Sequence, residues 1–112
     1  MTTHNLQLAA APFTAIKSGQ RTIESRIYDE KRRLIQLRDS LVLTDRENPK
    51  ETVTATVIGL LVYKTFHDLF SHNEPTKFGG PSVEWLENQI SEFYSVADQN
   101  ENGVIGIEFI LS

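Results

Sequence analysis

The chain has 112 residues, 39% of them apolar and 23% charged, which suits one domain spanning residues 1–112 and leaves no room for a second module. Its 11 basic and 15 acidic residues give a formal charge of −4, which excludes a protein that coats nucleic acid by bulk positive charge. It has no cysteine, so disulfide frameworks, cysteine-based zinc sites and thiol catalysis are excluded as well.

The opening MTTHNLQLAAAPFTAIKSG lacks the charged-then-apolar order of a secretory signal. No run reaches the roughly eighteen apolar residues that a membrane helix needs. The expectation is a cytoplasmic protein without a membrane partner.

Asn5 to Ala9 alternates loosely and predicts a first strand. FTAIKSG, after Pro12, predicts a short helix with proline in its first turn and Gly19 ending it. TIESRIY, Thr22 to Tyr28, sets Ile23, Ser25 and Ile27 against Glu24 and Arg26, the period of a strand with one polar face. Asp29 to Leu34 reads as a short charged helical turn, Ser40 to Thr44 as a buried strand, and DRENPKE, Asp45 to Glu51, as a polar loop.

TVTATVIGLLVY, Thr52 to Tyr63, is rich in β-branched residues and carries Gly59 where a bulge or bend is expected. Phe66 to Phe70 predicts a turn of amphipathic helix, and PTKFGGP, Pro75 to Pro81, a tight loop. Ser82 is a suitable cap for a helix running to Tyr94, with Val83, Leu86, Ile90 and Phe93 on its apolar stripe. Trp85 falls off that stripe, as edge packing. Gln99 to Asn102 reads as a polar turn before a closing apolar strand, Gly103 to Leu111. Several strands with short flanking helices predict an α+β fold built as a small β-barrel.

The charge is unevenly spread. Between Lys17 and Arg38 lie seven basic and three acidic residues, a local balance of +4 that leaves −8 for the remainder. Such polarity orients an anionic partner, although Asp29 and Glu30 also have the spacing to pair with Arg32 and Arg33 on a solvated helix face.

Within that segment, GQRTIESR, Gly19 to Arg26, combines a glycine turn with three ionisable side chains. It resembles the G-x-K-x-x-E-x-R signature of the ASCH (activating signal cointegrator homology) domain, a family with a PUA-like barrel, and departs from it in having Arg21 for lysine. RIYDEKRRLIQLRDSLVL resembles the family's Y-D-E-K-R-x-x-I-x-x-G-D-x-I stretch, with Arg38 where glycine is usual. NLQLAAAPFTAIKSG, FHDLF, the FGG loop, EFYS and GVIGIEFIL extend the likeness over nearly the whole chain, toward the small bacterial members.

The resemblance implies binding of RNA or of a modified nucleoside around the octet. One branch of the family hydrolyses acetylated cytidine with a motif lysine, a threonine at the position of Glu24 and a further glutamate. Neither of the first two is matched here. Arginine keeps its proton at accessible pH, so Arg21 can stabilise an anion but cannot serve as a base.

Arg21, Glu24 and Arg26 are therefore the candidate cleft, with Glu24 accepting hydrogen bonds and Arg26 gripping phosphate. An ion pair that satisfies a half-buried face is the competing reading. Tyr28, Lys31, Arg32 and Arg33 are candidates for gripping a strand, the tyrosine stacking on a base. Phe78 and Tyr94 are either cleft or core. The alternatives in function are a metal-independent hydrolase with Glu24 as catalytic base and Arg21 as anion stabiliser, and a protein-interaction adaptor using the acidic surface. His4, His67 and His72 are too scattered for a metal site, no phosphate-binding glycine loop occurs, and no cofactor is expected.

Overall fold

The computed structural model describes residues 1–112. The elements are β1 (Thr3–Leu8), α1 (Ala10–Lys17), β2 (Ile23–Ile27), α2 (Glu30–Arg33), β3 (Ser40–Asp45), β4 (Thr52–Tyr63), α3 (Phe66–Ser71), a 3₁₀ turn (Pro75–Phe78), α4 (Val83–Ile90), α5 (Val96–Asn102) and β5 (Val104–Leu111). No helix is long and apolar enough to cross a membrane.

The five strands form one sheet in the order β1-β3-β4-β5-β2, with β1 parallel to β3 and the other pairs antiparallel. The sheet curls without closing. Backbone pairing stops at β1 and β2, so the α+β, PUA-like architecture is a half-barrel with two edge strands. The long β4 bends at its glycine: Val57 faces Phe109 and Gly59 faces Glu108, which leaves Ile58 as the bulged residue. A Cβ at Gly59 would lie 2.7 Å from Glu108 Oε1 and 3.1 Å from Glu108 Cβ, so a larger residue there would have to displace the Glu108 side chain.

Two apolar clusters fill the molecule. Leu6, Leu41, Leu43, Val57, Ile105 and Ile107 line the inside of the curl, under Phe13 and Ile16 of α1. Ile23, Ile27 and Val104 turn outward and pack with Phe66, Leu69 and Phe70 of α3, Phe78 and Leu86. β2 is the wall between the clusters. Its outward face carries Ile23 and Ile27, whereas Glu24 and Arg26 pair with Ile107 and Ile105 and share their inner face.

The helical elements differ from expectation near the carboxyl end. The helix after Ser82 stops at Ile90 rather than Tyr94, and the supposed polar turn is α5. Ser95 and Asp98 form a reciprocal capping box that starts this new helix. Tyr94 is thereby turned inward, stacking on Phe66 with centroids 5.7 Å apart, and Phe93 is turned outward, 59% exposed.

The loop before β3 explains the Arg38 departure. Arg38 adopts φ 74°, the left-handed region that glycine occupies without strain. It is held there because its N–H donates to Val57 O at 2.8 Å while Val57 N–H donates to Asp39 O at 2.9 Å. Buried Asp39 ties the corner together, accepting from the amides of Thr2 and Gln36 and from His4 Nε2. The bond from His4, then those from Gln36 and Thr2, hold the Asp39 carboxyl down to about 2 from an ordinary 3.8.

Two outcomes follow at this corner. Arg38 is exposed and its side chain makes no ion pair, so Arg38→Gly relieves left-handed strain at the cost of a more flexible unfolded chain. The net is a stabilisation of roughly 0.5–1 kcal/mol, a rise of a few degrees in melting temperature. Because the folded-state pKa of Asp39 is depressed, its contribution to stability is complete above about 3.8 and lost as pH falls through about 2. Melting curves across that window should slope less steeply in Asp39→Asn than in the parent.

Candidate functional site

The turn at Gly19, φ 84°, ends α1 and sends the chain back toward β2. The amides of Gln20 and Arg21 both donate to Ala15 O, at 2.9 and 3.1 Å, fixing the start of the segment. The Arg21 stem then runs against Gly79, where a Cβ would stand 3.4 Å from that of Arg21. Gly79 is itself left-handed. The FGG loop thus serves as a flat bed for an arginine.

Strand alternation places Glu24 and Arg26 on one face, and Arg21 swings in beside them. Arg21 donates through Nη2 to Glu24 Oε1. Arg26 donates through Nε and Nη2 to Glu24 Oε2, at 3.1 and 2.8 Å. The same Arg26 Nη2 donates to the carbonyl of Gln7 at 2.9 Å, bridging β2 to β1 across the open side of the barrel.

Glu24 is only 3% exposed. Burial acts to raise its pKa, but the charges of Arg21 and Arg26 and their hydrogen bonds overcome this and hold the carboxyl below its ordinary value. For Arg26, burial opposes the charge; Glu24, aided by Tyr94, outweighs it and raises the pKa. The triad carries +1, and Arg21 Nε is buried without a partner. With three bonds already accepted by the Glu24 carboxylate, the triad is richer in donors than in free acceptors.

These residues line a cavity of about 410 Å³. Its floor is β2 with Glu24, Ser25 and Arg26; one wall is the end of β1 and the start of α1, including Gln7 and Pro12. The other wall comes from Phe78, Trp85, Leu86 and Tyr94, with Phe93 at its edge. Arg46, from the loop between β3 and β4, completes the lining. Gly80 sets the aromatic wall close, since a Cβ there would meet Trp85 Cε3 at 2.6 Å.

The +4 segment does not act as one patch. Arg21, Glu24 and Arg26 are brought together, whereas Tyr28, Lys31, Arg32 and Arg33 lie outside the cavity. A four-residue helix turns its successive side chains to different sides. Arg32 pairs with Asp29 at 3.1 Å; Arg33 sits 4.2 Å over the Tyr28 ring and donates to Asn102 O. The tyrosine face proposed for a base is therefore occupied by an arginine. Only Lys31 of the four is an exposed group with no side-chain partner. The histidines stay apart: His4 binds Asp39, His67 binds Glu87, and His72 stacks on Tyr63.

Arg46, Trp85 and Phe93 are the cavity residues that sequence reasoning missed. Trp85 carried a signal, being a large aromatic off the apolar stripe of its helix; Phe93 carried none, since helical spacing assigns it to that stripe. Arg46, in a polar loop, carried none.

Removal of one member of a buried charge network leaves the others uncompensated. Glu24→Ala, which leaves two guanidiniums facing each other, should cost about 3–5 kcal/mol in chemical denaturation, far more than a surface carboxylate.

No family model matches the chain, and no curated protein matches it. Solved structures do. A hypothetical protein, PH0355, is 28% identical over the full length of both chains, with a TM-score of 0.86. The ASCH protein of Zymomonas mobilis superposes with a TM-score of 0.72 at 14% identity, over 97% of this chain and 67% of that one. The ASCH domain from Lactobacillus crispatus superposes with a TM-score of 0.67 at 13% identity, over 98% of this chain and 79% of the other. The half-barrel and its flanking helices are thus those of an ASCH-domain fold.

Proposed function

We propose that this chain binds RNA or a modified nucleoside, taking one nucleoside unit into the cavity beside Arg21, Glu24 and Arg26. The observation that carries the reading is the meeting of a buried, net-positive triad with an aromatic wall in a cavity of about 410 Å³. That volume lies near the lower end of the roughly 300–1,000 Å³ usual for small-ligand pockets. It suits one base and its sugar rather than a strand. Trp85 and Phe93, 42% and 59% exposed, offer stacking faces, and the unused arginine donors suit carbonyl and phosphate oxygens.

Binding is favoured over hydrolysis by the chemistry of the carboxylate. A general base works best when its pKa lies near the working pH. Glu24 is held the other way by two guanidiniums, and Arg21 exchanges no proton. The role that fits Glu24 is to fix both arginines for a ligand.

The chain has one tryptophan, and it stands on the cavity wall, so its fluorescence reports occupancy. Titration with short single-stranded RNA and with a nucleoside panel should quench or shift Trp85 emission, and RNA affinity should fall as salt rises. Phe93→Ala, at an exposed position that folding does not need, should weaken binding about tenfold through lost stacking. An emission unchanged by every RNA and nucleoside, with no binding by calorimetry, overturns the reading.

A further inference from the structure

The charge in the cavity exceeds what the triad explains. Its ionisable lining consists of three arginines and one glutamate, a balance of +2 within a chain of net −4. Glu24 accounts for one arginine. Arg46 supplies the second unit of excess charge, and it comes from an element unrelated to the octet.

The backbone at Arg46 is anchored although the side chain is exposed. Its N–H donates to Leu8 O at 2.8 Å, at the end of β1. The next residue, Glu47, accepts from Ala10 N–H at 3.0 Å, taking the place of the absent side-chain cap on α1. The loop is thus clamped on both sides of the cavity's β1 wall. Glu47 is engaged with that amide, and the Arg46 guanidinium itself makes no ion pair or hydrogen bond within the chain. Such a group stabilises nothing in the fold. It is a cation carried on an anchored stretch of backbone, lining a cavity that already holds Arg21 and Arg26.

We propose that Arg46 reads a phosphate, and that the cavity selects a monophosphorylated nucleoside over the nucleoside alone. The inference rests on the reading that the cavity takes a nucleoside, and adds the charge of the ligand. One phosphate monoester carries about −1.5 to −2 at neutral pH, which matches the lining. The base and sugar lie toward the aromatic wall and the phosphate toward the open, arginine-bearing mouth. The same group occurs on a free mononucleotide and at the 5′ end of a cleaved RNA strand.

The test is calorimetry with nucleosides, their 5′-monophosphates, and short RNAs bearing a 5′-phosphate or a 5′-hydroxyl. The phosphorylated member of each pair should bind about tenfold tighter or better, as a charge-assisted arginine contact gives. Arg46→Gln should reduce that preference to within about twofold, while Lys50→Gln, which removes an equal charge from the same loop outside the cavity, keeps it. A preference among mononucleotides but not among RNAs assigns the site to free nucleotides, and the converse assigns it to strand ends. Equal binding of phosphorylated and unphosphorylated partners, or a preference that survives Arg46→Gln, overturns the inference and leaves the nucleoside cavity standing. No binding of any member overturns the cavity reading and the inference with it.

Discussion

A sheet that curls but does not close must hold its two edges together by other means, and here one guanidinium does it. Arg26, rooted in β2, reaches the carbonyl of Gln7 in β1 while it binds Glu24. A charged side chain on the inner face of an apolar curl is tolerable only when it is paired and hydrogen-bonded. Glu24 supplies the pairing, and Arg21 supplies the second positive partner that keeps so deeply buried a carboxylate ionised. Backbone pairing with β5 fixes the position of β2, and this group of three spans the gap between the edges and lines the cavity.

Ion pair and binding site, which the residue types alone pose as alternatives for Glu24 and its arginines, are compatible in the structure. The pairing orders the arginines, and the ordered arginines line a cavity. Arginine suits this better than the lysine of the family signature. A planar guanidinium can bind Glu24 through one edge and present its remaining donors elsewhere, whereas an ammonium offers a single point. Arginine at position 21 therefore offers hydrogen-bond donors but no proton to exchange.

What could be read from sequence follows from distance along the chain. Glu24 and Arg26 share a face because strand residues alternate, and Gly19 predicts the return that brings Arg21 beside them; the bend at Gly59 was equally legible. The amino end of α5 carried a readable sign, Ser95 followed three residues later by Asp98, hidden by the polar run after it. Lys31 to Arg33 look like one patch in one dimension, but the helical turn sends Arg32 onto Asp29 and Arg33 onto the Tyr28 ring and Asn102, which leaves Lys31 alone without a partner. Of the cavity's far wall, Phe78 and Tyr94 were legible as cleft or core, whereas Trp85, Phe93 and Arg46 meet the octet only through the folding of the α4 region and the clamp of the β3–β4 loop.

The gap in the barrel has one more consequence. Residues 7–9 at the end of β1 and 24–26 in β2 border the cavity, so the peptide groups left unpaired at the sheet's two margins lie beside the space a ligand would fill. Unpaired strand margins are the usual entry point for another chain to add itself to a sheet. The open side of the half-barrel, which borders the cavity, is thus also the part of the sheet most open to the addition of a further strand.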